Sequence, residues 1–204
     1  MRSATSIFQG VDRSAGEGRV GYFAGCMTLL TPRILLAMER IFKASGEEVW
    51  WADKEGGVCC GRPLKLSGET DSARKMMDYN IALFRKHRIT TLVTSCPICL
   101  KVFREEYHLE GIEVLHHSEY MLRLIRDGRL QLRRGAQTFT YHDPCELGRG
   151  SRFYDQPREV IEAWACCSNR PRRGNTPSAA ALRWPIRRFR TRSSFAWRVP
   201  WRRS

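Results

Sequence analysis

The chain of 204 residues has no apolar run approaching the roughly 18 to 20 residues that a membrane helix needs. Residues 1–19, rich in Ser, Gly and charge, lack the apolar core of a secretory leader. A soluble, cytoplasmic protein is expected. Without an export signal the eight cysteines are not expected to form a disulfide framework, because a chain this long and 42% apolar can bury a core without covalent staples. A second shortage is local: 165–204 contains 11 Arg but no Lys, Asp or Glu. The first 164 residues therefore hold 24 basic against 21 acidic groups, and nearly all of the net charge of +14 belongs to the tail. That balance speaks against nucleic-acid binding by the body. The tail, with Trp184, Trp197 and Trp201 among its arginines, has the composition of a nucleic-acid or anionic-membrane binder but no motif, heptad or amphipathic period. It is expected to be disordered or non-native.

What the sequence does have is cysteine in order. Cys26 is followed by the adjacent pair Cys59-Cys60 with Gly61, then by Cys96-Pro97-Ile98-Cys99, and Cys145 opens what reads as another round. A core rarely uses free thiols in adjacent and Cys-x-x-Cys arrangements, since each is reactive and replaceable by a safer small apolar residue. Thiolates gathered around a soft metal centre are the simplest reason for the pattern. Cys166 and Cys167 fall outside it and are expected to be incidental.

Apolar patterning puts strands at 20–24, 48–52, 90–94, 112–115 and 138–141. Between them lie helices from Pro32 with Thr31 as N-cap, from Ser67 or Thr70 to about His87, from Pro97 through Tyr107, over 118–127, and from Pro157. Alternating strands and helices imply an α/β fold with a largely parallel sheet. Cys26, Cys59, Cys60, Cys96 and Cys99 all follow carboxyl ends of strands, which share one edge of such a sheet, where ligands bind. Thiols about 35 residues apart are thus expected to converge, helped by the partial positive charge of helix starts.

Tetrahedral zinc or a cubane [4Fe-4S] cluster needs four thiolates, and five are present. Cys59 and Cys60 can share a centre only if the loop bends between them, which Gly56, Gly57 and Gly61 permit. His116-His117 are expected to be polar loop residues and His142-Asp143 to cap the next turn. Met76-Met77 are expected to pack, and one of Trp50-Trp51 to serve the core or shield the centre.

The order Gly25-Cys26, Cys59-Cys60-Gly61, Cys96-x-x-Cys99 resembles the cysteine-rich CCG module of heterodisulfide reductases and of the iron-sulfur subunits of glycolate oxidation and lactate utilisation. The resemblance covers about residues 20–164. It implies that Cys26, Cys59, Cys60, Cys96 and Cys99 bind an iron-sulfur cluster, [4Fe-4S] or a non-cubane variant held by five cysteines, with zinc as the alternative. It implies an electron-transfer component of an oxidoreductase complex, whose partners are flavoprotein or ferredoxin-like subunits, with peripheral association to a membrane complex left open. The rival functions are a zinc-stabilised interaction module and nucleic-acid binding through the tail. Tyr141-His142-Asp143-Pro144-Cys145 is similar to the opening of a second module, with Cys145 as its first metal ligand.

The expected organisation is a disordered segment at 1–19, a complete module at 20–137, the start of a second at 138–164, and the Arg-rich tail at 165–204. Cys166-Cys167 comes too early for the next Cys-Cys-Gly and is followed by Ser168. The abrupt change near Ala165 suggests a truncated gene model or translation out of frame. If so, another reading frame of the coding DNA downstream of this point encodes a Cys-Cys-Gly and a Cys-x-x-Cys; neither frame doing so sinks the idea.

Overall fold

In the computed structural model the residues described are 19–57, 59–132, 135–139 and 141–167. Strand β1 (Arg19–Phe23) enters at the centre of the sheet, so Arg19 lies in a strand although composition predicts disorder over 1–19. A single turn, α1 (Cys26–Leu29), leads to α2 (Pro32–Ala44), which starts at the expected Thr31-Pro32 step. Strand β2 (Val49–Trp51) passes into a 3-10 turn, Ala52–Glu55. Then come α3 (Arg62–Leu66), α4 (Thr70–Lys86), β3 (Ile89–Thr94), α5 (Pro97–Glu105), β4 (Glu113–His116) and α6 (His117–Arg126). The short helices α1 and α3 stand where the apolar pattern predicts only loops.

The four strands form a wholly parallel sheet in the order β2-β1-β3-β4. From β1 the chain winds outward to β2, returns across β1 to β3, and continues to β4. Alternation within each strand feeds two separate cores. Phe23, Leu92 and Val114 pack with Phe84 of α4 and Leu100, Val102 and Phe103 of α5. Tyr22, Val93 and Leu115 pack on the other face with Met38 and Phe42 of α2 and Tyr120 and Leu124 of α6. Phe103 anchors the first core through edge-to-face contacts with Phe23 (4.8 Å), Phe84 (5.8 Å) and Tyr107 (4.6 Å). Such pairs add about 0.5–1.5 kcal/mol each to the area they bury. Trp50 joins the first core and stacks on His87, whereas Trp51 faces Tyr22 and Phe42 in the second.

The expected fifth strand does not extend this sheet. Strand β5 (Gly135–Phe139) pairs in parallel with β6 (Ala165–Cys167) as a separate two-stranded sheet, across α7 (Asp155–Trp164). Pairing partners are a non-local matter, and the local pattern that marks a strand here cannot choose between sheets. Residues 165–167 are thereby strand rather than disordered tail; 168–204 and 1–18 lie outside the described residues, as do the side chains of Cys166 and Cys167. None of the helices among the described residues is long and apolar enough to cross a membrane.

His116 and His117 are not loop residues. His116 is 3% exposed, ends β4, and caps α6: its Nδ1 accepts from the Ser118 N–H at 3.4 Å while the Glu119 carboxylate accepts from the His116 N–H at 2.9 Å. Arg104 binds this corner together, donating to the Val114 carbonyl at 2.6 Å and to Glu119 at 2.9 Å. Burial, with the neighbouring His117 ring, pushes the His116 imidazole down to about 2 from 6.5, so the folded protein holds it neutral. The unfolded chain binds the proton first, so this contribution is intact above pH 6.5 and is lost as pH falls toward the folded value. The loss amounts to about 2 kcal/mol at about pH 5. Urea unfolding at about pH 7 and about pH 5 should show a smaller drop for His116→Asn, which keeps an N-cap acceptor; equal drops in variant and wild type would refute the assignment.

Candidate metal centre

Strand order reverses between β1 and β3. The loop leaving β1 runs to one face and the loop leaving β3 to the other, so a cleft opens beyond their carboxyl ends. The cysteines follow these strand ends, where a switch point of this kind places a cleft. Cys26 is the first residue of α1, directly after β1 and Gly25. Cys96 is the N-cap of α5 after β3, and Cys99 lies in the first turn of that helix. Cys59-Cys60-Gly61 arrives from β2 and opens α3. Cys60, Cys96 and Cys99 are buried, and Cys26 and Cys59 are partly exposed. Phe23, Ala52, Leu100 and Leu147 pack in the same cluster as the three buried thiols.

The five sulfurs fall into two neighbouring groups. Cys99 is within hydrogen-bonding reach of both Cys60 and Cys96, and Cys26 of Cys59. The adjacency of Cys59 and Cys60 joins the groups. Sharing one thiol between two acceptors divides the protons unequally. The hydrogen bond with Cys99 pulls Cys96 down to about 6, and the Ile98 and Cys99 amides at the start of α5 favour its charge further. The same partner lowers Cys60. Cys99, whose single S–H proton is shared between the two and which is buried, is held far above the ordinary thiol range. Burial raises Cys59, opposed by the Gly61 N–H that approaches its Sγ at 3.4 Å.

Room for the sulfurs depends on one glycine. Gly25 has φ 77° and ψ 156°, a region open in practice only to glycine, and a Cβ there would lie 2.9 Å from Cys99 Sγ. The donor set is all sulfur, the type that selects iron-sulfur clusters, zinc or Cu(I) over oxygen-loving ions. Among the described residues no three His, Cys, Asp or Glu side chains stand in the arrangement of a single-ion site. Five soft donors around a cleft fit a centre of several metal atoms better than one tetrahedral ion.

Cys145 is exposed and is not part of the hydrogen-bonded set. It precedes a π-helical turn, Glu146–Gly150, that folds Leu147 and Phe153 into the core beside the thiols and brings Glu146 close enough to oppose ionisation of Cys96. Asp143 does not cap this turn; its Oδ2 accepts from Arg158 Nη2 of α7 at 2.6 Å.

Two further residues serve the site without a motif to announce them. Asn80, fully buried in α4, donates through Nδ2 to the Cys59 carbonyl and to the Tyr107 hydroxyl, both at 2.8 Å. Tyr107 donates to the Cys60 carbonyl at 3.1 Å. The one signal in the sequence is an asparagine on a helix face otherwise made of Ala73, Met77, Ile81 and Phe84.

Comparison with known proteins agrees with this arrangement. The chain is 30% identical over 146 residues to an uncharacterized iron-sulfur protein of Methanococcus maripaludis, covering 71% of this chain and 28% of that protein. It is 30% identical over 168 residues to a subunit of the fumarate reductase (CoM/CoB) of Methanothermobacter marburgensis, covering 79% and 33%. With a subunit of the dihydromethanophenazine:CoB–CoM heterodisulfide reductase of Methanosarcina mazei the identity is 29% over 159 residues, covering 70% and 37%. The chain thus spans about a third of the length of these curated relatives. No solved structure matches it. Residues 20–104 match the family described as the CCG cysteine-rich domain, and the cleft with its Cys26, Cys59-Cys60-Gly61 and Cys96-x-x-Cys99 lies within them: this part of the chain belongs to that family.

Proposed function

We propose that Cys26, Cys59, Cys60, Cys96 and Cys99 hold an iron-sulfur cluster, [4Fe-4S] or a five-thiolate non-cubane form, and that the protein carries electrons within an oxidoreductase complex. The observation that supports this most is the meeting of five thiols at the point where the sheet reverses its strand order. The relatives are named as iron-sulfur proteins and as subunits of fumarate and heterodisulfide reductases, which supports other redox subunits as partners; flavoprotein or ferredoxin-like ones are the proposed kind.

A bound cluster supplies one-electron transfer, and its potential is set by the protein through burial, hydrogen bonds to sulfur and net charge. This chain's residues would act on each of those. Leu100, Leu147 and Phe23 exclude water from one side of the cleft. The Gly61 N–H points at Cys59 Sγ, and the Ile98 and Cys99 amides favour charge on Cys96. Glu146 adds negative charge beside Cys96, which disfavours further reduction at that end. The partial exposure of Cys26 and Cys59 leaves the side of the cleft formed by β1 and β2 as the side nearest a partner. Cys145 belongs to the opening of a second module in this reading, not to the first centre.

Anaerobically isolated protein is expected to contain iron and acid-labile sulfide and to give an EPR signal on reduction or oxidation; zinc without iron would overturn the proposal. A Cys60→Ser variant should lose or convert the cluster while its far-UV dichroism stays that of an α/β protein, and an unchanged EPR spectrum would remove Cys60 from the ligand set.

Gly25→Ala should be costly twice over. The backbone strain is about 1–3 kcal/mol in urea unfolding of the metal-free protein, and the displaced Cys99 sulfur should reduce iron content below wild type. Normal stability and iron content would show that Gly25 is not required.

A further inference from the structure

Adjacent residues in extended chain point to opposite sides, so a cysteine pair does not by itself aim two sulfurs at one place. Here Cys59 meets Cys26, while Cys60, the next residue, meets Cys99. Bringing both sulfurs to one centre needs a bend between them, and the backbone of the pair is held in place at its carbonyls. Asn80 Nδ2 donates to the Cys59 carbonyl at 2.8 Å, and Tyr107, which accepts from the same amide at 2.8 Å, gives its own proton to the Cys60 carbonyl at 3.1 Å. One node thus grips two consecutive carbonyls. The orientation of the Asn80 amide follows from the network, because the Cys59 carbonyl can only accept and must face the NH2 end.

We infer that Asn80 and Tyr107 are positioning residues, a clamp on the Cys59 and Cys60 carbonyls that sets the bend and with it the number of sulfurs from this pair that reach the centre. The inference rests on the proposed cluster reading for the meaning of that number, but the clamp itself is a property of the chain. Packing alone does not account for it. Asn80 is 0% exposed and its Oδ1 has no hydrogen-bond partner among the described residues. A leucine of similar size would fill the site without that unsatisfied acceptor, so the amide is retained at a cost in stability. Tyr107, 1% exposed, likewise needs only its ring to pack on Phe103. Both polar groups are committed to main-chain atoms of the cysteine pair and to each other, across sequence distances of 21, 27 and 47 residues. Gly61, with φ 85°, lets the chain turn away immediately after the clamped pair.

The test uses the full chain with Tyr107→Phe and Asn80→Leu, each of which preserves the packed volume. In metal-free protein, iodoacetamide labelling followed residue by residue by mass spectrometry should show Cys60 reacting about tenfold faster in either variant, as the loop opens more readily. Cys96 and Cys99, fixed by the first turn of α5, should keep their wild-type rates. Unchanged labelling at Cys60, or an equal rise at Cys59, Cys60, Cys96 and Cys99 alike, overturns the clamp. After reconstitution with ferrous iron and sulfide, the variants should give an EPR spectrum different from wild type, and identical spectra with equal iron content would overturn the claim that the bend sets the ligand count. If wild type takes up no cluster while Cys60 labelling still splits as expected, the cluster reading fails and the clamp stands.

Discussion

The reversal of strand order between β1 and β3 is the constraint on which the rest depends. Loops from neighbouring strands that continue in the same direction would crowd one face; loops that part to opposite faces leave a cleft, and its depth is set by the sheet itself. Into that cleft the chain delivers sulfur from β1, β2 and β3 in turn. No side chain has to cross the core to reach the site. The two aromatic cores beneath therefore serve the thiol site indirectly. By locking α4 and α5 to one face and α2 and α6 to the other, they hold the strand ends in place while the cleft residues answer only to local geometry.

The thiols carry a tension that ordinary packing would remove. Cys60, Cys96 and Cys99 are buried together, and a small apolar residue at any of them would spare the protein a reactive group. Gly25 sits in a backbone region that only glycine enters freely, and Asn80 adds an unsatisfied acceptor, at the same spot. A glycine-only backbone position, orphaned polarity and free thiols concentrated at one site mark a place where stability has been given up for function. The His116 corner shows the contrasting case. There a buried imidazole is absorbed into a capping box with Glu119 and Ser118, and its polarity serves helix α6.

Much of this is legible in the sequence, for definite physical reasons. Strands β1 to β4 and helices α2, α4, α5 and α6 carry clear apolar periods, and the Thr31-Pro32 and Cys96-Pro97 steps mark two helix starts through the fixed φ of proline. The parallel α/β sheet and the approach of the five cysteines to one edge follow from that alternation alone. The single turns α1 and α3 are too short to show a period. The membership of β5 in its own sheet depends on β6, which lies beyond an intervening helix. His116 reads as polar loop because its burial is supplied by Phe153 and α6, neither of which a local window can see. Asn80 and Tyr107 stay hidden for the same reason: what they bind is backbone, which has no sequence signature.

The proton shared by Cys99 has one more consequence. Because Cys96 and Cys60 lean toward the thiolate at its expense, the metal-free cleft is an acid store whose last proton is its most tightly held. A soft centre held by all five sulfurs, as proposed, would displace that proton. Filling the site would therefore be an acid-releasing reaction, easiest in alkaline surroundings.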